Sequence, residues 1–102
     1  MTESDGLSSQ VHLVPAGALD AWSRLAEALR RDGPVPCEVD PEGWWPDRGT
    51  HPADLAVVVR CCAGCPARVE CLEFAVAADE PAGIWGGLTR AQRSPAALPV
   101  AA

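Results

Sequence analysis

The chain has 102 residues, a net charge of −6 and no lysine; one domain is the natural count at this length, and the acidic balance disfavours a broad basic patch for nucleic acid or anionic membranes. No run reaches the ~20 apolar residues that span a bilayer. The hydrophobic content rests mainly on Ala and Val, with one Phe, one Ile, one Met and no Tyr, so a core in so short a chain is marginal without a staple.

The start, Met1-Thr2-Glu3-Ser4-Asp5-Gly6, is acidic and polar. It lacks the basic beginning and apolar run of a secretion signal, so a cytoplasmic location is expected, and residues 1–15 are expected to be disordered. Over 16–33 a helix is predicted, with Leu19, Trp22, Leu25, Ala26 and Leu29 inward at helical spacing and Gly33-Pro34 as its stop. Residues 34–52 hold Pro34, Pro36, Pro41, Pro46 and Pro52 with Gly43 and Gly49, which reads as loop. Trp44 and Trp45 lie inside it. Two adjacent tryptophans cannot share one face, so one is expected over the core and the other facing out or meeting a partner; the competing reading lays both over a metal site as an apolar lid.

A second helix is predicted from Thr50 as N-cap, with Pro52 in its first turn. It runs to Arg60 or Cys61 and delivers Cys62, and Gly64-Cys65-Pro66 breaks it. A third opens at Pro66 and runs to about Asp79, with Val69, Leu72 and Val76 inward and Cys71 and Ala75 beside them. Glu80-Pro81-Ala82-Gly83 is a turn, Thr89–Arg93 a candidate short helix, and 94–102 a flexible tail. No repeat and no convincing strand is found. The fold expected is all-α, a small domain of three to four helices with loose termini, its functional part over 34–93.

Chemistry concentrates in the cysteines. Cys37 stands alone, Cys62 and Cys65 form a C-x2-C, and Cys71 follows six residues later. Four thiolates on one short chain suit a tetrahedral metal or an iron–sulfur cluster. Cytosolic disulfides are uncommon, and five cysteines, counting Cys61, do not make a complete disulfide framework. Three chemistries compete. Structural zinc usually takes two paired ligand clusters, and here Cys37 and Cys71 are both unpaired. A redox C-x-x-C expects a βαβ context, which is missing. An iron–sulfur cluster accepts scattered single cysteines in an apolar helical pocket. Bound metal would tie the two halves of the chain together.

Residues 62–75, CAGCPARVECLEFA, and the later Gly83-Ile84-Trp85-Gly86-Gly87-Leu88-Thr89 resemble the WhiB-like proteins of actinobacteria and their phages. Cys37 followed by Trp44-Trp45-Pro46 resembles that family's first cysteine, aromatic pair and proline, although Phe-Phe is the commoner pair. The likeness covers roughly 36–93. It implies a helical domain around one [4Fe-4S] cluster ligated by Cys37, Cys62, Cys65 and Cys71. It further implies a transcriptional regulator that binds the C-terminal region of the principal sigma factor, with a cluster able to respond to oxygen or nitric oxide. The contacts implied for the partner are Trp44, Trp45 and Trp85, with Gly83, Ile84, Gly86 and Gly87 shaping the turn. That turn is physically apt, because its glycines take backbone angles closed to other residues and so can present Ile84 and Trp85. The competing reading makes Trp85 a cap on the metal pocket.

Two departures from the family pattern stand out. Cys61 is an extra cysteine, read as a buried inert residue against the alternative of a spare ligand or redox thiol. The basic DNA-entering tail of many relatives is reduced to Arg90 and Arg93, and 33–90 carries four Arg against nine Asp or Glu. DNA contact by these two is therefore expected to be weak, promoter DNA to be reached only indirectly, and the protein to be a monomer by itself without membrane attachment. His12 and His51 have no clustered partners and are expected in solvent. The rival functions are a thiol–disulfide oxidoreductase using a metal-free Cys62/Cys65 pair and a zinc-stabilised interaction module.

Overall fold

The structure, a computed structural model, describes residues 14–94. The expected disorder of 1–15 and the tail of 94–102 fall almost wholly outside them, as does His12. Within them the chain forms four α-helices: α1 (Leu19–Asp32), α2 (Pro36–Val39), α3 (Pro52–Ala63) and α4 (Arg68–Ala78). Short 3-10 turns occupy Ala16–Ala18, Pro41–Trp44 and Arg90–Gln92. There is no strand among the described residues, only one isolated bridge between Trp85 and Leu88. The all-α expectation holds.

Helix α1 packs along α4. Its buried stripe is Ala21, Leu25 and Ala28, continued back into Ala18, rather than the predicted line through Leu19 and Trp22. Leu19 is 47% exposed while Ala18 is fully covered. The physical reason is size: alanines let the two helix backbones approach, and the larger side chains are displaced to the flanks. Across the junction the stripe meets Phe74 and Ala67. Phe74 is central here, yet the predicted inward set of α4 omitted it. Val69, predicted inward, is exposed, whereas Leu72 and Ala75 are buried as expected.

Several boundaries move for local reasons. The proline-rich 34–52 segment is not all loop: Pro36 occupies the first turn of α2, where its missing N–H costs nothing. The Glu38 carboxylate accepts from the Val35 N–H at 3.0 Å, closing the start of that helix. At α3 the cap is His51, whose Nδ1 accepts from the Ala53 N–H at 3.0 Å. The Thr50 hydroxyl instead accepts from the Asp47 N–H at 2.9 Å, holding the preceding turn. His51 is exposed, as expected, but has this capping role. Helix α4 opens at Arg68, two residues later than predicted, and ends on Asp79 with φ of 50°. That angle is uncommon for a non-glycine residue but accessible to Asp.

A second, smaller apolar cluster joins Val58 and Cys62 of α3 to Ile84, with Trp44 and Leu55 against it. Gly43 makes this contact close, since a Cβ there would lie 3.2 Å from the Val58 side chain. Cys65 and Cys71 border the first cluster and Cys62 belongs to the second. The functional residues therefore sit at the seam between them.

Candidate metal centre

Four local events bring the cysteines to that seam. Cys37 is carried on α2, Cys62 on the last turn of α3, Cys65 on the turn after it, and Cys71 on the first turns of α4. The Cys65 N–H donates to the Cys62 carbonyl at 3.0 Å and the Arg68 N–H to the Cys65 carbonyl at 3.2 Å, so the C-x2-C is wound as a compact helix–turn–helix link. All four sulfur-bearing residues line one cavity of about 220 Å³, and Cys61 does not. All four tryptophans also line it, together with Leu25, Leu29, Val35, Ala67 and Ile84, and no carboxylate or imidazole is among the lining residues.

Among the described residues no three His, Cys, Asp or Glu side chains converge on a point tight enough for a single ion. The thiols ring a space instead. Water occupies about 30 Å³ per molecule in the liquid, so a cavity of this volume has room for a group of several atoms. Soft donors, apolar walls and a multi-atom space fit an iron–sulfur cluster.

Electrostatics agree with a site that is completed by cationic metal. Burial pushes the Cys71 thiol up to about 12; the Gly86 backbone amide opposes this, and the Cys37, Cys62 and Cys65 sulfurs reinforce it. Burial likewise raises Cys37, with Cys65 and Cys62 adding to the shift. Cys62 is raised by burial against the opposing hydrogen bonds of the Trp44 indole and the Gly87 amide. Packed thiols that resist ionisation alone become ligands when a cation takes the charge.

The glycine turn closes one side. Trp85 N–H donates to the Leu88 carbonyl at 3.1 Å and Leu88 N–H to the Trp85 carbonyl at 3.0 Å. Between them Gly86 and Gly87 have φ of 59° and 82°, the pair of left-handed angles of a tight two-residue hairpin turn. A Cβ on Gly86 would lie 2.8 Å from the Leu72 Cβ, so the turn is pressed onto α4. Ile84 N–H donates to the Trp44 carbonyl at 2.7 Å, tying the turn to the aromatic pair.

Trp22, Phe74, Trp85 and Trp45 form a continuous aromatic row, with successive ring centroids 5.3, 5.5 and 6.2 Å apart. Trp85 is half-buried in this row, and its indole N–H is already satisfied by the Ala82 carbonyl at 2.9 Å. It thus both lines the cavity and presents an edge outside. Trp45 is 53% exposed. Trp44 is half-buried and turns its indole N–H onto the Cys62 sulfur at 3.1 Å. The adjacent pair divides by exposure while both members line the cavity, so each of the two arrangements considered for it is met in part.

Arg90 and Arg93 are engaged with the domain itself. Arg93 donates to the carbonyls of Gly83 at 2.9 Å, Leu88 at 3.1 Å and Glu80 at 2.6 Å. Arg90 donates to the Glu80 carbonyl at 3.1 Å and pairs with the Asp79 carboxylate at 3.3 Å. Arg93 braces the glycine turn, and Arg90, half exposed, binds the end of α4. Phe74 is the residue that reading the sequence missed, and Arg93, named there only as a weak DNA contact, has a bracing role that the sequence did not show. Phe74 lies three positions after Cys71, on the same helix face, and that spacing was an available signal.

Fold and site together define a small helical domain that gathers soft sulfur donors around one apolar cavity. The description "Transcription factor WhiB" matches residues 26–95. The chain is 36% identical over 80 residues to the transcriptional regulator WhiB2 of Mycobacterium tuberculosis, covering 78% of each chain. It is 43% identical over 56 residues to the transcriptional regulator WhiB of Streptomyces coelicolor, 55% of this chain and 61% of that one. With the transcriptional regulator WhiB7 of Mycolicibacterium smegmatis it shares 48% identity over 54 residues, 52% of this chain and 50% of that one. No solved structure matches the chain. This chain belongs to the WhiB family of transcription factors, and its role is regulation of transcription. No helix among the described residues is long and apolar enough to cross a membrane.

Proposed function

We propose that this regulator carries one [4Fe-4S] cluster on Cys37, Cys62, Cys65 and Cys71 and acts through the C-terminal region of the principal sigma factor. The observation that carries the reading is the gathering of these four cysteines, without Cys61, on one apolar cavity of about 220 Å³. When bound, such a cluster supplies one-electron chemistry and reactivity toward oxygen or nitric oxide. The protein's own residues do the rest. The largely apolar walls surround the group, α3 and α4 orient three of the four sulfurs, and the aromatic row runs from the cavity to its rim.

The rim is the partner surface in this reading. Trp45 and the exposed edge of Trp85 lie side by side on it, and large aromatics in such a setting are favoured binding anchors. With 33–90 at four Arg against nine Asp or Glu, direct affinity for promoter DNA is low and the effect on a promoter passes through polymerase. The oxidoreductase alternative needs a thiol of lowered pKa, whereas burial drives Cys62 upward.

Metal analysis of anaerobically purified protein tests the cluster. Four irons per chain are expected, retained in Cys61→Ala and lost in Cys37→Ala, Cys62→Ala, Cys65→Ala and Cys71→Ala. Zinc in place of iron, or iron lost with Cys61 and kept without Cys62, overturns the assignment. Copurification with the sigma-factor C-terminal region tests the partner separately.

A further inference from the structure

We propose that Trp44 is a positioning and tuning residue for the metal group: its indole N–H is a fixed donor to the Cys62 sulfur that raises the reduction potential of whatever that sulfur binds. The inference rests on the cluster reading above and goes beyond it, because it assigns to one side chain a chemical property of the bound group.

Three features make this donor a built one. The Nε1–Sγ distance is 3.1 Å. An indole nitrogen can only donate, so a half-buried Trp44 turned elsewhere would lose its partner. The ring is also held on independent sides. It packs against the Val58, Cys62 and Ile84 cluster, its own carbonyl accepts from the Ile84 N–H at 2.7 Å, and Gly43 just before it allows the 3-10 turn to lie close on α3.

The acceptor is equally particular. Cys62 is the one buried cysteine among the five, 8% exposed. A hydrogen bond to the sulfur of so covered a residue competes with little solvent. Hydrogen bonds to ligand sulfurs set iron–sulfur potentials. The direction follows from charge: a donor stabilises the electron-richer state more than the electron-poorer one, so it raises the potential. In the couple concerned one electron passes from a low-potential one-electron donor to the bound group. No bond to Cys62 is made or broken, and no proton moves. Trp45, next in the chain, donates no hydrogen bond to a cysteine sulfur and meets Trp85 edge-on instead. The two tryptophans therefore have separable duties, Trp44 toward the sulfur and Trp45 toward the rim.

Trp44→Phe keeps an aromatic ring and removes only the donor end. The test is a potentiometric titration of the iron-loaded protein with dithionite, followed by visible absorbance and electron paramagnetic resonance, on the parent, Trp44→Phe and Trp45→Phe. A lower midpoint for Trp44→Phe is expected, up to a tenfold change in the one-electron equilibrium or ~59 mV, at equal iron content. Trp45→Phe is expected to keep the parent midpoint. An unchanged or higher midpoint in Trp44→Phe overturns the tuning role while leaving the cluster reading intact; a parent that binds no iron overturns both. Should Trp44→Phe take up too little iron to titrate, the parent's indole N–H resonances decide. Slow solvent exchange of the Trp44 proton and its hyperfine shift on iron loading sustain the proposal. Exchange as fast as at the exposed Trp22, with no shift, overturns it.

Discussion

Removing the Arg93 guanidinium separates two roles that one arginine near the end of this domain could have. In the structure it makes three hydrogen bonds to the carbonyls of Gly83, Leu88 and Glu80, at 2.9, 3.1 and 2.6 Å. Hydrogen bonds contribute about 0.5–1.5 kcal/mol each net, and more when one partner is charged. The three carbonyl-bearing residues are half-buried, so in Arg93→Ala water replaces part of what is lost. The expected cost is ~2 kcal/mol, which for a domain of this size lowers Tm by roughly 8–16 °C. Arg93→Lys is expected to recover only part, since an ammonium cannot fork across three acceptors. Thermal unfolding followed by circular dichroism reads the effect. A phosphate-contacting arginine behaves differently: its loss leaves the melt unchanged and lowers the salt slope of DNA binding by about 0.9. A fall in Tm of less than about 3 °C, below 1 kcal/mol on the same scale, refutes the bracing role.

Other perturbations test other parts of the arrangement. In urea titrations, Gly86→Ala, which places a Cβ 2.8 Å from that of Leu72 at a φ of 59°, is expected to cost ~2–4 kcal/mol through left-handed strain and overpacking, whereas Gly64→Ala, with open space at its Cβ, is expected to be neutral or slightly stabilising. In the metal-free protein the Cys71 thiol is held neutral up to about 12 against an ordinary value of 9.0. Its contribution to stability is therefore intact below about pH 9 and lost as pH rises toward 12. Denaturation midpoints at pH 8 and pH 10.5 are expected to diverge in the metal-free parent and to diverge less in Cys71→Ala, where the raised Cys37 and Cys62 thiols still contribute. Trp45→Ala and Trp85→Ala are each expected to weaken sigma-factor binding by ~2 kcal/mol or more in titration calorimetry, with visible absorbance from the cluster nearly kept in Trp45→Ala.

Much was determined by local sequence. The helical character of α1 and α4 followed from apolar spacing and that of α3 from its start signals, and the ends of α1 and α3 from Gly33-Pro34 and Gly64-Cys65-Pro66, because proline and glycine act on their own backbone. The resemblance set Cys61 apart from the four candidate ligands, and in the structure Cys61 does not line the cavity. Tertiary structure decided what depends on approach between distant segments. Alanines rather than Leu19 and Trp22 line the α1–α4 contact, because backbone proximity selects small side chains only once both helices are in place. The two neighbouring tryptophans are told apart by where α3 and the glycine turn meet them, which sends Trp44 to the Cys62 sulfur and Trp45 to the surface. Arg93 looked like a remnant of a basic tail because charge is visible in a sequence and its acceptors are not. Those acceptors are backbone carbonyls 5 to 13 positions earlier, which carry no signature in any side chain and exist as a set only after the turn has closed.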